Sequence, residues 1–362
     1  MNSIEAVSVS KAFDINATDA VEVEIVTTNS YGRCSFPAPS EAIRKAREQV
    51  STLIGREVSQ QAEIDEVLEG IFSLPNMSMA FSVAIASAAA ASLGMPLYRY
   101  LGGFFANAMP YPLLKIFSAG ADYFGIPKGA GSFASAIASL ASIHRELNNL
   151  DIPGDSAHAD ILNRLTAITG GVSSRFGFEI KLGVDFKASK HAHGKLSFAD
   201  HASTTGTSRL RYLLDLARQY DLYYIEDPFD RTESEFQRQL TDELGATCLI
   251  ASEADLDTRI ADARSPKNGR ETNLALIAPS GTVSSVFETY SRERANGRSC
   301  ALLTDNSATC DASPSQLAVA LSAPFVKLSI KGRQSTAKIN ELVRIEQELF
   351  DESSYRMAKK PI

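Results

Sequence analysis

The chain has 362 residues, 44% of them hydrophobic and 22% charged, which is the balance of an ordinary globular protein with room for a barrel and a smaller domain. Its net charge of −7 argues against nucleic acid as a bulk partner, because binding phosphates needs a basic face. No signal peptide is visible, the longest apolar stretch (80–93) is broken by serines, and the four cysteines lack CxxC spacing, so we expect a cytoplasmic protein without a membrane partner.

The first part of the chain predicts a small α+β domain. Two alternating segments, "VEVEIVTTN" and "YGRCSFPAP", predict strands joined by a turn at Asn29 and Ser30. Helical patterns follow in "SEAIRKAREQV", where Ser40 is a suitable N-cap, in "QAEIDEVLEGIFSL" and in the Ala-rich "MAFSVAIASAAAASLG". We therefore assign residues 1–106 to an N-terminal α+β domain.

The pattern changes from Pro110 onward. A strand candidate, "YPLLKIFS", precedes a helical stretch, and residues 151–177 resist assignment. From "FEIKLGVD" to the end, strand and helix patterns alternate in six clear units, which indicates a parallel sheet. Six units and an irregular start predict a closed eight-stranded barrel in residues 107–362, close to the usual size of about 250 residues.

Three acids stand at the ends of successive strand candidates. They are Asp185 in "FEIKLGVD", Glu226 in "LYYIED" and Glu253 in "TCLIASE". The carboxyl ends of barrel strands form one rim, where active sites lie, and three converging carboxylates repel each other unless a cation joins them. Oxygen ligands without His or Cys suit Mg²⁺. Solvated acids at strand ends are the alternative.

Several long segments resemble the enolase family, in one order and at suitable spacing. They are "IDEVLEGIFSLPNMSMAFSVAIASAAAASLGMPLYRYLGG" in the first domain and "LGVDFKAS", "YIEDPFD", "SQLAVALSAPFVK" and "AKINELVRIEQEL" in the barrel. The resemblance covers nearly the whole chain. It implies an α/β fold, an enolase-like (β/α)8-type barrel with an antiparallel opening and an N-terminal α+β capping domain, and it implies a homodimer.

The resemblance also supplies roles for single residues. Enolases hold Mg²⁺ with an Asp, a Glu and a further acid at positions that match Asp185, Glu226 and Glu253, although the third is normally Asp. The Lys that contacts the substrate after the final strand matches Lys327 in "FVK". A Lys near Mg²⁺ and a small-molecule carboxylate would act as a charge partner or proton donor.

The departures from the family concern the groups that define its reaction. The sixth-strand Lys base falls on Leu276, and residues 272–287 contain no ionisable side chain. The phosphate-gripping His-Arg-Ser run reads Thr304, Asp305 and Asn306; Thr304 and Asn306 remain candidates for substrate binding, whereas Asp in place of Arg reverses the charge offered to a phosphate. The mobile "SGASTG" loop and the "GDEGG" motif are absent, and only Asp122 approximates the second-strand Glu of the acid machinery.

Other candidates stay open. Lys181, four residues before Asp185 and on the same side of the strand, is a possible replacement base, but we favour a buried Lys paired with an acid. Asp305 is either an acid or base or a helix N-cap, and Asp122 is similarly open. We carry three hypotheses: a divergent Mg²⁺-dependent lyase or transferase, a catalytically inactive scaffold, and a genuine hydratase of phosphopyruvate whose base is Lys181 or Asp305.

Overall fold

The computed structural model describes residues 2–150, 152–153, 156–188, 197–198, 201–202, 206–252, 271–304, 309–352 and 355–359. It opens with a three-stranded antiparallel sheet of β1 (Ile4–Phe13), β2 (Asp19–Thr27) and β3 (Tyr31–Pro37). Of these three strands, the sequence predicts only β2 and β3. The segment that forms β1 carries short and polar side chains on its exposed face, which weakens the signal, although Ile4 and Val9 are buried.

Four helices follow the sheet: α1 (Ser40–Gln49), α2 (Gln61–Ile71), α3 (Pro75–Ser92) and α4 (Leu97–Gly102). Ser40 is not the N-cap of α1, because the helix begins at that residue and its hydroxyl donates to Asp19 instead. The Ala-rich α3 is buried almost all round. A Cβ at Gly32 of β3 would lie 2.0 Å from the carbonyl oxygen of Ala84, so only glycine allows this close packing of strand and helix.

The larger sheet has eight strands in the order β11-β10-β7-β6-β5-β14-β13-β12. Its members are β5 (Tyr111–Ala119), β6 (Ala121–Lys128), β7 (Glu179–Asp185), β10 (Tyr224–Glu226), β11 (Leu249–Ala251), β12 (Leu274–Ile277), β13 (Ser299–Leu303) and β14 (Phe325–Ser329). Strand β6 is antiparallel to both neighbours, and the other ladders are parallel. The predicted eight-stranded barrel with an antiparallel opening is thereby confirmed.

The ends of the sheet meet through Asn273. Its backbone N–H donates to the carbonyl of Ile250 (3.2 Å), and its side-chain oxygen accepts from the N–H of Ile250 (2.7 Å). Its side-chain nitrogen donates to the carbonyls of Gly245 and Cys248. One amide side chain thus joins β11 to β12, where no regular ladder forms, and brings the fifth and sixth strands of the barrel together.

Helices cover the outside of the barrel: α5 (Phe133–Leu147), α6 (His158–Phe176), α7 (Gly206–Gln219), α8 (Ser234–Leu244), α9 (Val283–Ala295), α10 (Ser313–Ala320) and α11 (Arg333–Asp351). The unassigned stretch 151–177 mostly forms α6, with Gly170 and Gly171 inside the helix. Two short pairs complete the structure, namely β4 (Ala108–Met109) with β15 (Arg356–Met357), and β8 (Ser197–Phe198) with β9 (His201–Ala202).

Two apolar cores follow from the alternation of the strands. The inward core includes Leu113, Phe124, Tyr224 and Leu276, whereas the outward core packs the barrel against its helices and extends to α3.

The domain division at 106/107 stays a prediction. Among the described helices, none alone is long and apolar enough to cross a membrane, and only α3 together with Leu97–Phe105, a pair bent by 93°, meets that criterion by length and composition.

Candidate active site

Three of the predicted site residues meet at the mouth of the barrel. Asp185 ends β7, Glu226 ends the neighbouring β10 at the same register, and Lys327 lies on β14. The side chains of Asp185 and Glu226 are only 4% and 1% exposed. The Lys327 ammonium pairs with Glu226 Oε2 and lies 3.9 Å from Asp185 Oδ2. A single cation therefore bridges two buried carboxylates that would otherwise repel each other.

The carboxylate of Glu226 is only half satisfied. Oε2 accepts hydrogen bonds from the Tyr224 hydroxyl and from Lys327. Oε1 is buried and has no hydrogen-bond partner among the residues that the structure describes. Leaving a buried carboxylate oxygen unpaired is costly, so this atom is a natural ligand for a cation.

Aromatic rings form the floor below these charges. The Lys327 amine lies 5.2 Å from the ring centroid of Phe124, within the range of a cation–π interaction. Phe124 in turn packs edge-to-face against Tyr224 at 5.4 Å. The floor excludes water from below and lowers the local dielectric, which strengthens the electrostatic interactions above it.

Asp185 is the most strongly perturbed acid of the site. Burial and then the negative charge of Glu226 raise the pKa of Asp185 to about 8, although the positive charge of Lys327 opposes this shift. Asp185 Oδ1 accepts the backbone N–H of Lys187 at 2.9 Å, which also favours the ionised form. An opposing cation at this carboxylate would displace its proton.

Asp122 lies beside Asp185, because β6 and β7 pair these two residues in register. Its carboxylate accepts from Ser118 Oγ (2.5 Å) and pairs with Lys187 Nζ (2.8 Å) and Lys115 Nζ (3.5 Å). Burial raises the pKa of Asp122, but the hydrogen bonds from Lys187 and Ser118 outweigh it and hold the pKa below its usual value. Asp122 therefore belongs to the same charged row as Asp185.

The sequence analysis missed three residues of the site: Lys115, Lys187 and Tyr224. For two of them a signal existed. Lys115 continues the inward alternation of Tyr111 and Leu113 along β5, and Tyr224 precedes Glu226 by two residues on the same face. Lys187 follows the end of β7, where no periodicity predicts the direction of a side chain.

Two other candidates do not join the carboxylates. Lys181 pairs with Asp221 and Glu179 near the start of β7, so it lies four residues from the mouth, roughly 13 Å along the strand. Lys181 is thus a lysine paired with acids, as the favoured alternative expected. Its position does not support a role as the catalytic base. Thr304 is buried, and its hydroxyl donates to the Lys327 carbonyl at 2.9 Å, which links β13 to β14 instead of facing a ligand.

Glu253, Asp305 and Asn306 lie outside the described residues. Within the described parts of the chain, no group of three or more His, Cys, Asp or Glu side chains is arranged to hold a metal ion. Asp185 and Glu226 supply two hard oxygen ligands, and the buried, unpaired Oε1 of Glu226 fits a cation. The described donor set is therefore compatible with Mg²⁺ but incomplete by itself.

The opposite wall of the mouth is apolar. Leu276 and Ala278 on and just after the sixth strand, β12, and Leu303 at the end of the seventh, β13, belong to the inward core and are at most 6% exposed. None of these side chains can take up a proton or hold an anion. Among the described residues, the charged side chains of the mouth therefore lie on the side formed by the first four strands and the eighth.

Comparison with known proteins agrees with this architecture. The family model described as "Enolase, C-terminal TIM barrel domain" matches residues 164–361. Proteins named "Enolase" are similar over nearly their full length. Those of Methanosphaera stadtmanae and Archaeoglobus fulgidus are 28% identical over 419 and 396 aligned residues, which cover 97% and 96% of this chain and 98% of each relative.

The protein named "Enolase" from Natronomonas pharaonis is 29% identical over 399 residues, 96% of this chain and 99% of the relative. These alignments are longer than the 362-residue chain, so they open gaps in it. Such gaps are consistent with the shortened loops that the sequence indicates. The match of the barrel model to more than half of the chain shows that this protein is a divergent member of the enolase family.

Proposed function

We propose that the chain is a Mg²⁺-dependent enzyme that acts on a small carboxylate, phosphorylated or phosphonylated, through an enolate-type intermediate. One observation carries this proposal: two buried carboxylates and one ammonium group converge at the barrel mouth, and one carboxylate oxygen has no partner within the described chain. A protein that needed only stability would place apolar side chains there.

Asp185 and Glu226 are the proposed ligands, with Glu253 as the third. Mg²⁺ bound there would supply positive charge to stabilise the enolate that forms beside the substrate carboxylate. Lys327 adds a fixed positive charge at the same point, since its ammonium already lies between the two acids. The aromatic floor of Phe124 and Tyr224 keeps this charge in a dry environment, where it acts most strongly.

The proposed reaction is not an efficient dehydration of 2-phosphoglycerate. The inward positions of the sixth strand carry Leu276 and Ala278, so no side chain there can remove a proton. Asp122, whose carboxylate is held by two lysines, is the remaining described acid beside Asp185 and takes the role of a proton carrier in this proposal. A related lyase or transferase step is the reaction class that this arrangement favours.

Calorimetric titration with Mg²⁺ tests the proposal. We expect binding at millimolar Mg²⁺ or below in the wild type and a loss of at least about tenfold in affinity in Glu226→Gln and Asp185→Asn. Asp221→Asn is the matched control, because it removes an acid from the other end of the barrel, where Asp221 pairs with Lys181. Absence of Mg²⁺ binding, with and without phosphoenolpyruvate, would refute the proposed function.

The apolar wall at Leu276, Ala278 and Leu303 favours a second candidate, a catalytically inactive binding or scaffold protein. The third hypothesis, a genuine phosphopyruvate hydratase, depends on Asp305 now that Lys181 lies far from the carboxylates. Turnover of 2-phosphoglycerate at the rate of an ordinary enolase would favour the hydratase, and no turnover with no Mg²⁺ binding would favour the scaffold. The homodimer is likewise a proposal, which light scattering tests.

A further inference from the structure

Lys115 and Lys187 flank Asp122 and have no role in the proposed metal site. Lys115 Nζ lies 3.5 Å from one carboxylate oxygen, and Lys187 Nζ lies 2.8 Å from the other. Both side chains are partly exposed, 35% and 24%, while that of Asp122 is only 11% exposed. Two ammonium groups thus share one acid and remain accessible from the mouth.

The local charge of this group favours an anion. One carboxylate balances one of the two ammonium groups, so Lys115, Lys187 and Asp122 together carry one net positive charge. Each ammonium has three donors, and the accessible charge on this side is that of the two partly exposed lysines, because Asp185 and Glu226 are buried and pair with Lys327. On the far wall, the described residues Leu303 and Thr304 offer no charge. An anionic group entering the mouth is therefore attracted to the side of β5 and β6.

The backbone holds Lys187 in this position at some cost. Its φ of 55° lies in the left-handed region, which residues other than glycine rarely adopt. Its N–H donates to Asp185 Oδ1 at 2.9 Å, which stabilises this turn. The same turn brings the Lys187 amine to Asp122. A strained residue joined to the site by its backbone is typical of positions under functional constraint.

We propose that Lys115 and Lys187 form an anion subsite that binds the phosphoryl or phosphonyl group of the substrate. This inference deepens the proposed function, because it names the residues that hold the anionic end of the substrate. It places that end beside the second strand of the barrel, across the mouth from the seventh strand. Asp122 competes with the ligand for the two lysines and sets how tightly the anion is bound.

Titration with inorganic phosphate, followed by ³¹P NMR at constant ionic strength and with EDTA present, tests the subsite. We expect Lys115→Gln and Lys187→Gln each to weaken phosphate binding about tenfold, because each loses a charge-assisted hydrogen bond. Lys128→Gln is the matched control: Lys128 ends the same strand that carries Asp122, at its other end, where its amine lies over Tyr223. The control should bind phosphate as the wild type does.

The direction in which Asp122→Asn changes the phosphate affinity decides between the two explanations. The substitution removes the competing negative charge and keeps one acceptor oxygen, which can accept from only one of the two lysines, so phosphate should bind several-fold more tightly. If the lysines only neutralise Asp122, this variant leaves the phosphate affinity unchanged and the two Gln variants lose only thermal stability. Either result overturns the proposal. If one Gln variant does not fold, the other and Asp122→Asn still decide.

The outcome is separable from that of the proposed function. The titration contains no Mg²⁺, so phosphate binding that depends on Lys115 and Lys187 supports the subsite even when Mg²⁺ calorimetry is negative. Conversely, Mg²⁺ binding with an unaltered phosphate affinity in both Gln variants keeps the metal proposal and overturns the subsite.

Discussion

Lys327 and Glu226 form an ion pair across the full width of the barrel. They lie on the eighth strand, β14, and the fourth, β10, which are four strands apart in either direction around the sheet. An eight-stranded barrel is just wide enough for side chains to fill it, so a long Lys side chain can reach an acid on the opposite wall. The pair closes the barrel interior from above.

Replacing Lys327 with Gln should destabilise the metal-free protein by about 3–5 kcal/mol. The change leaves Asp185 and Glu226 buried without their positive partner, and a buried charge that loses its partner is strongly destabilising. Thermal unfolding in EDTA measures this loss. Adding Mg²⁺ should stabilise the variant more than the wild type, because the two carboxylates then depend entirely on the added cation.

Lys181→Gln is the control for this experiment. Lys181 also pairs with two acids in the same barrel, but those acids are at least half exposed and lie at the opposite end. Its loss should cost less than about 1 kcal/mol and should leave the response to Mg²⁺ unchanged. Equal losses in the two variants would contradict the argument that Lys327 holds the buried acids together.

The raised pKa of Asp185 predicts how stability depends on pH. Its pKa is about 8 in the folded protein, raised by burial and by Glu226, and about 3.9 in the unfolded chain. Between these values the folded state keeps a proton that the unfolded state has lost. This contribution to stability is fully present below about pH 4 and is lost as the pH rises through about 8.

Denaturant unfolding of the wild type and Asp185→Asn in EDTA, from pH 5 to pH 9, checks this prediction. The stability of the wild type relative to the variant should fall as the pH rises, by at most about 1.4 kcal/mol per pH unit, and level off above about pH 8. Saturating Mg²⁺ should reverse the trend, because the cation binds the ionised carboxylate. Parallel pH profiles for the two proteins would contradict the raised pKa.

The barrel could be predicted from the sequence because its strands and helices alternate regularly from residue 178 onward. Polar sequence bounds each apolar run, and local periodicity therefore indicates the correct elements. The antiparallel β6 was not found from local pattern, because Gly125 and Pro127 interrupt its alternation. Residues 151–177 were unassigned because Gly170 and Gly171 weaken the helical signal of α6.

The site was predictable only where a charge stands at the end of a strand. Asp185 and Glu226 meet this condition, whereas Lys327 lies within β14 and was indicated by the family resemblance; the structure brings all three together. Lys181 has the same inward direction as Asp185, but a strand pattern does not say which end of the barrel an amine reaches. Lys187 joins the site through a left-handed backbone turn, and no local pattern in the sequence indicates such a turn.

That turn yields a prediction about backbone strain. Both Lys187→Ala and Lys187→Gly remove the amine, but only glycine adopts a φ of 55° without steric cost. The Gly variant should therefore be more stable than the Ala variant by about 1 kcal/mol, although glycine ordinarily loses more entropy on folding. Urea unfolding compares the two. A more stable Ala variant would show that residue 187 does not hold the left-handed conformation in solution.

A buried acid links the N-terminal helices to the helix that follows the sixth strand. Asp65 of α2 is 1% exposed, and its Oδ2 accepts from the backbone N–H (2.9 Å) and the hydroxyl (2.7 Å) of Ser284 in α9. Its Oδ1 accepts from Ser82 (2.6 Å) and Gln61 (2.9 Å). Four donors in this group share one carboxylate, so the link should be sensitive to its removal.

Asp65→Ala should lower the free energy of unfolding by about 3 kcal/mol, because it leaves several buried donors unpaired at once. Asp65→Asn keeps the size and one acceptor oxygen, so it should cost about half as much. Guanidinium denaturation measures both, and Asp14→Ala is the comparison: Asp14 also accepts several hydrogen bonds, from Asn16 and Thr18, but in an exposed turn. Because water replaces the lost acceptor in that turn, its removal should cost less than about 1 kcal/mol. Equal losses for Asp65→Ala and Asp14→Ala would mean that the buried link does not hold the N-terminal helices to the barrel.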